Sequence, residues 1–286
     1  MVNTREIALD CIMEILEKKQ YSHYVIKQVL DKYGYLDKRD RSFIKRTAEG
    51  TIERCIELDY VLDSFSKVSA KKMKPFIRSL MRMGVYQLLY MDGIPDAAVC
   101  NESVKLAEKR GFSSLKGFVN GVLRNISRNK EKIAYPHKET DITAYLSVRY
   151  SQPRWIVKMW LSRFGAEKTE KILEGLLAER PVTVRVDENL NKKEKESLLK
   201  EISLAGIEFC PVNGLSYAYE LKNPDRVENI PGFEDGRIMI QDAGSMEIVE
   251  MAQIQEGQYI LDVCGAPGGK ALHAACKLNH TGFVRV

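Results

Sequence analysis

Three glycines in five positions, Gly265, Gly268 and Gly269, close the stretch from Tyr259 to Lys270, YILDVCGAPGGK. They lack the Cβ atoms that keep a ligand off the backbone, and they stand where an apolar extended run gives way to a helical pattern. Such a turn offers unpaired backbone N–H groups to an anion. Two phosphate-binding patterns rest on the same physics, and neither fits. The GxxxxGK[ST] loop requires glycine where Cys264 stands and a hydroxyl where Ala271 stands, and GxGxxG does not occur. Asp262 ends the extended run and Lys270 begins the helix, so each could meet a charged ligand. A structural aspartate, a solvated lysine and a turn with no ligand are the plain alternatives.

Holding this turn requires a strand before it and a helix after it. The order after Gly236 reads strand (237–240), helix (244–252), strand (259–263), glycine turn, helix (271–278) and strand (282–286), the beginning of a parallel α/β domain over residues 237–286. Ile260, Leu261 and Val263 have the near-continuous hydrophobicity of a strand covered on both faces. Residues 131–236 read as a linker with Pro136 followed by a small α+β domain. Its helices fall at 143–150, 153–164 and 168–178, its first strand at 182–186, and then come a charged helix at 192–204 and extended pieces at 207–210 and 216–219. Residues 1–130 repeat apolar positions at helical spacing, as in Ile7, Cys11, Ile15 and in Phe76, Ile77, Leu80, Met81, Val85, Leu88. That pattern predicts a bundle of about seven helices.

With 286 residues, 44% of them apolar, the chain can bury more than one core. No apolar run approaches the roughly 18 residues of a membrane helix and the N-terminus lacks a signal-peptide core, so a cytoplasmic protein is expected. Cys11, Cys55, Cys100, Cys210, Cys264 and Cys276 form no CxxC pair and only four histidines occur, which predicts reduced thiols and no metal site. The net charge of +5 is uneven. Residues 1–130 hold 24 Lys and Arg against 16 Asp and Glu, or +8, leaving −3 for the rest. A basic N-terminal part suits a phosphate-bearing partner, although a solvated helical face also explains a single cluster such as Lys71, Lys72 and Lys74. Tyr86 and Tyr90 lie at helical spacing and read as core rather than as a stacking platform.

The string DVCGAPGGK resembles the first motif, usually DxCAAPGGKT, of the RNA cytosine-5 methyltransferases. Further segments in the same order resemble the RsmB/Fmu/Sun branch over essentially the whole chain: MRMGVYQLLYMDGIP, AVCNESVKLAEKRG and GFVNGVLRNISR, then RYSQPRW, RPVTVRVD and GRIMIQDAGS. The resemblance implies a multidomain chain: an all-α NusB-like helical bundle (1–130), a linker and small α+β RNA-presenting domain (131–236), and the start of a Rossmann-like α/β methyltransferase domain (237–286). It implies S-adenosyl-L-methionine as cofactor, held by Asp262, Cys264, Gly265, Ala266, Pro267, Gly268, Gly269 and Lys270. Asp262 would organise the amino group, and the turn amides the carboxylate. Gly265 for alanine and Ala271 for threonine are departures expected to loosen the loop.

Small-subunit ribosomal RNA is the implied partner, with Arg5, Lys38, Arg39, Arg41, Lys45 and Arg46 in the helical part and Arg149 and Arg154 in the middle part as candidate contacts. Trp155 reads as helix packing with base stacking as the alternative, and Arg185 as outward-pointing or covering a sheet edge. A monomer is expected. In the family, a cysteine within Thr-Cys attacks cytosine C6 and one within Pro-Cys assists release; neither dipeptide occurs here, and Cys264 belongs to the binding motif. Counting about 20 residues from Gly268 to the ribose-binding acid reaches position 288. The expectation is therefore a truncated chain, inactive alone, of an rRNA cytosine-C5 methyltransferase. The alternative is a noncatalytic NusB-like RNA-binding protein.

Overall fold

Seven α-helices occupy the first 128 residues: α1 (Thr4–Leu16), α2 (Ser22–Lys32), α3 (Lys38–Glu53), α4 (Cys55–Phe65), α5 (Pro75–Tyr90), α6 (Asp96–Lys109) and α7 (Lys116–Arg128). The structure is a computed structural model that describes residues 2–178, 181–222, 224 and 226–286. The chain divides into two units, Met1–Ala178 and Glu179–Val286.

In the first unit, local sequence starts several of the helices. Asn3 caps α1 by accepting from the Glu6 N–H, Asp37 caps α3 at Asp40, and Pro75 opens α5 where no N–H is needed. Helix α5 is buried almost all round, through Phe76, Ile77, Leu80, Met81, Met83, Val85 and Leu88, so it is the central helix of the bundle. Gly50 of α3 lets Tyr86 approach, because a Cβ there would lie 2.0 Å from the Tyr86 ring. Two helices follow the bundle, α8 (Ile142–Arg149) and α9 (Arg154–Leu177), the latter broken at Gly165 with φ 74°. The break falls where the sequence predicts two helices. Leu146, Tyr150, Val157 and Leu173 form their own core.

A buried carboxylate ties these helices to the bundle. Glu57, fully buried in α4, accepts from Tyr90 Oη (2.6 Å), Tyr135 Oη (2.7 Å) and Arg54 (3.2 Å). Burial pushes both phenols well above their ordinary range, and the Glu57 charge adds to it. Ser151 Oγ accepts from the N–H groups of Ile56 (2.9 Å) and Glu57 (3.3 Å), capping α4 from 95 residues away.

The second unit holds β1 (Val182–Val186), α10 (Lys192–Leu204), β2 (Glu208–Val212), β3 (Leu215–Lys222), β4 (Ile238–Ile240), α11 (Ala243–Met251), β5 (Tyr259–Leu261), α12 (Gly269–Lys277) and β6 (Phe283–Arg285). The first four strands make one antiparallel sheet in the order β2-β3-β1-β4. Leu198 and Ile202 of α10 pack with Val184, Val186 and Leu221 on one face, while Met246 of α11 packs with Leu215, Tyr217 and Ala218. Strand β4, which the sequence order predicts as the first strand of the parallel domain, instead pairs antiparallel with β1, Val184 opposite Ile240. Its three residues are too few to choose a sheet by their own pattern, and the free edge of β1 takes them.

Strands β5 and β6 pair parallel, Ile260 opposite Val284, with α12 as the crossover. The expectation that β5 is covered on both faces is not met: Tyr259 is 86% exposed and Val263 83% exposed, while Ile260 and Val284 are half-buried. A two-stranded sheet with one crossover helix covers one face.

Candidate cofactor site

The glycine turn sits where β5 ends and α12 begins. The Asp262 N–H donates to the Arg285 carbonyl (2.8 Å), carrying the β5–β6 ladder one residue into the turn. One carboxylate oxygen of Asp262, Oδ1, accepts from the Cys264 N–H (3.1 Å), and the other, Oδ2, is buried with no protein partner. A buried carboxylate oxygen left unpaired is costly and calls for a donor. Gly265 is buried, and a Cβ there would lie 2.3 Å from Val286 Cγ1 and 3.3 Å from the Asp262 carboxylate. An alanine here would have to displace the Val286 side chain.

The Ala266–Pro267 peptide is cis, and Gly268 has φ 115°, a conformation that strains any residue with a Cβ. Gly268 also caps α12 and has no side chain to accept from the first N–H groups of the helix. Together with the helix dipole they favour an anion. Lys270 Nζ donates to the Cys264 carbonyl at 3.3 Å and braces the turn. Cys264 is exposed.

Two residues at this end of the unit carry more than their sequence pattern shows. Arg185 is 2% exposed, neither outward-pointing nor at an edge. Alternation along VTVRV places it opposite Val184 and Val186. That face is covered as well, so the guanidinium reaches Gln241 Oε1 (3.0 Å), Met239 Sδ (3.1 Å) and Cys276 Sγ (3.6 Å). Gln241, 5% exposed, stands just after β4, and its side chain lies 3.8 Å from where a Cβ on Gly269 would be. Its Nε2 has no partner. The QDAGS segment placed Gln241 in a resembling motif, but nothing local distinguishes it from a solvated glutamine.

Beside them, Lys277 bridges Glu188 (2.8 Å) and Glu250 (2.7 Å), and the fully buried His273 brings Nε2 to 3.3 Å from Glu188 without hydrogen-bond alignment. Burial alone would raise the Glu188 carboxyl, but His273 and Lys277 outweigh it and hold it down at about 2. Glu188, Tyr217, Glu250 and Lys277 line an open cavity of about 510 Å³. Their mutual pairing ties α11 and α12 to the sheet. No group of three or more His, Cys, Asp or Glu among the described residues could hold a metal ion, and no helix among them is long and apolar enough to cross a membrane.

The candidate RNA contacts fall into two sets. Arg41 is committed to the turn after α2, donating to the Leu36 (2.6 Å) and Gly34 (3.3 Å) carbonyls, and Arg5 lies between Gln87 (3.2 Å) and the Phe43 ring. Burial lowers the Arg5 guanidinium from its ordinary value. Arg46 donates to the Tyr90 carbonyl, Lys45 lies 4.0 Å from Glu49, and Arg154 pairs with Asp141 at 2.9 Å. Lys38 and Arg39 are exposed in the first turn of α3, and Arg149 is exposed over the Tyr135 ring. Tyr86 is buried and Tyr90 half-buried, as core residues should be. Trp155 is 68% exposed and does not pack its helix; Trp160, five residues on, joins that core instead.

Two family models match separate parts of the chain. The NusB family matches residues 2–128, and the ferredoxin-like domain described as Methyltr_RsmF/B-like matches residues 152–228. The probable ribosomal RNA small subunit methyltransferase B of Bacillus subtilis (strain 168) is 32% identical over 282 residues, 99% of this chain and 62% of that protein. The ribosomal RNA small subunit methyltransferase B of Escherichia coli O127:H6 is 28% identical over 271 residues, 95% of this chain and 60% of its own. The crystal structure of PH0851 has the same fold, with TM-score 0.71 at 17% identity over 99% of this chain and 63% of that one. Over nearly its whole length the chain is similar to these ribosomal RNA small subunit methyltransferases B, and it spans 60–62% of the length of the two relatives.

Proposed function

We propose that this chain holds S-adenosyl-L-methionine at the Asp262–Lys270 turn and presents small-subunit ribosomal RNA for methylation at cytosine C5, the activity of the whole protein of which these residues form part. The observation that carries this reading is the turn itself: a glycine-built helix start with no side-chain acceptor, beside a buried, unpaired Asp262 Oδ2. An α-amino acid end offers the matching pair, a carboxylate for the helix start and an ammonium for the aspartate. When bound, the cofactor supplies an electrophilic methyl group on a sulfonium. The residues of this chain do the holding: Asp262 accepts the ammonium protons, the first turn of α12 neutralises the carboxylate, and Lys270 keeps the turn folded by its contact to Cys264. No residue of the chain is assigned the attack on C6.

For RNA, the helical unit supplies the basic surface. Lys38 and Arg39 occupy the positive end of α3, where cations oppose the helix dipole and a phosphate would relieve both. Exposed Trp155 beside Arg154 offers a base-stacking face.

Titration calorimetry with S-adenosyl-L-methionine tests the reading. The chain should bind it, and Gly268→Val should abolish binding, since a β-branched residue cannot hold φ 115°. RNA binding by a wild-type chain that takes up no cofactor would instead support a noncatalytic RNA-binding protein.

A further inference from the structure

Arg185 is among the largest fully buried side chains of the protein, and among the described residues it meets no carboxylate; its partners are an amide oxygen and two sulfur atoms. A buried cation with neutral partners only is expensive to keep. Its one strong contact has a directional consequence. A guanidinium can only donate, so the amide of Gln241 must turn its oxygen toward Arg185 and its nitrogen away. That Nε2, on a side chain 5% exposed, has no acceptor in the protein, although it carries two donor hydrogens. The amide is packed beside Gly269, the first residue of α12, with Cγ and Cδ 3.8 and 3.9 Å from where a Gly269 Cβ would stand. At the same helix start the glycine cap provides no acceptor for the first N–H groups. An oriented, unsatisfied amide donor on a side chain that passes Gly269, a helix start with no side-chain acceptor and a buried guanidinium holding the amide lie in one part of the unit, and an anion would answer all three.

We propose that Gln241 is a cofactor-binding residue: its Nε2 donates to the carboxylate of the amino-acid end of S-adenosyl-L-methionine at the start of α12, with Arg185 as the positioning residue that fixes the amide and supplies the charge. This rests on the cofactor reading above and adds to it a residue 28 positions before Gly269, in a segment separate from the turn. The two side chains then divide the zwitterion. Asp262 takes the ammonium and Gln241 the carboxylate.

The test uses the 286-residue chain, titrated separately with S-adenosyl-L-methionine and with methylthioadenosine, which keeps the nucleoside and lacks the amino acid. Gln241→Leu should weaken S-adenosyl-L-methionine by about tenfold or more, the effect of losing a hydrogen bond to a charged group, and leave methylthioadenosine within about twofold. Gln241→Glu keeps an acceptor for Arg185 and turns it into a counter-ion. It should raise the thermal midpoint while weakening S-adenosyl-L-methionine at least as much as leucine does, a combination that misfolding cannot produce. Either variant binding S-adenosyl-L-methionine as the wild type does would overturn the proposal, as would equal losses for both ligands. A wild-type chain that binds neither ligand would overturn the cofactor reading itself, a result distinct from both.

Discussion

The two units differ in how completely their buried polar groups are paired. In the bundle, Glu57 is enclosed with two phenols and an arginine that answer it, and Arg82 has Asp59 at 2.6 Å. Among the described residues of the second unit, Glu188 Oε1, Gln241 Nε2, Asp262 Oδ2 and both nitrogens of His273 are buried without hydrogen-bond partners. Apolar surface differs in the same sense: Leu58, Leu62 and Leu80 are inaccessible, whereas Tyr259 and Val263 lie open. The difference is one of degree, since Gln87 Nε2 in α5 and Thr169 Oγ1 in α9 are also buried without partners in the first unit. The second unit leaves more of them unanswered, with Asp262 in the turn, His273 in α12 and Gln241 beside Gly269.

The largest effect expected from breaking this contrast lies in the bundle. Glu57→Ala should destabilise the first unit by about 3–5 kcal/mol, because it strands Tyr90, Tyr135 and Arg54 together, and a urea titration would measure it. A loss under about 1 kcal/mol would mean that the network is not a closed one. An intermediate effect is expected from pH in the second unit. The folded-state carboxyl of Glu188 lies at about 2, below its ordinary 4.5, so its contribution is present above the unfolded value and disappears as pH falls from about 4.5 toward 2. The urea midpoint of that unit should fall over this window, and Glu188→Gln should flatten the fall. The smallest effect is expected where the surface is already open. Val263→Ser should change stability by no more than about 0.5 kcal/mol while reducing self-association in sedimentation. A large destabilisation would place Val263 in a core and remove the contrast.

Much of the architecture is legible before any coordinates. The helical spacing of Phe76 to Leu88 marks α5, the charged stretch 192–204 marks α10, and the β-branched run of β1 begins and ends where its pattern does. The turn at Gly265, Gly268 and Gly269 is legible too, because only glycine chemistry permits a strand to enter a helix in that way. What could not be read are facts about neighbours. Trp155 is exposed and Trp160 packed within one helix; Arg41 donates to two carbonyls, and Arg5 lies between Gln87 and the Phe43 ring.

Sequence by itself determined the order of helices and strands, the helix caps and the glycine turn, since each depends on residues within a few positions of one another. Tertiary structure alone decided that β4 joins the antiparallel sheet, that Arg185 is buried and that Gln241 comes to lie beside Gly269. Those outcomes rest on which edge was free and which face was covered. They join residues tens of positions apart, where periodicity carries no information.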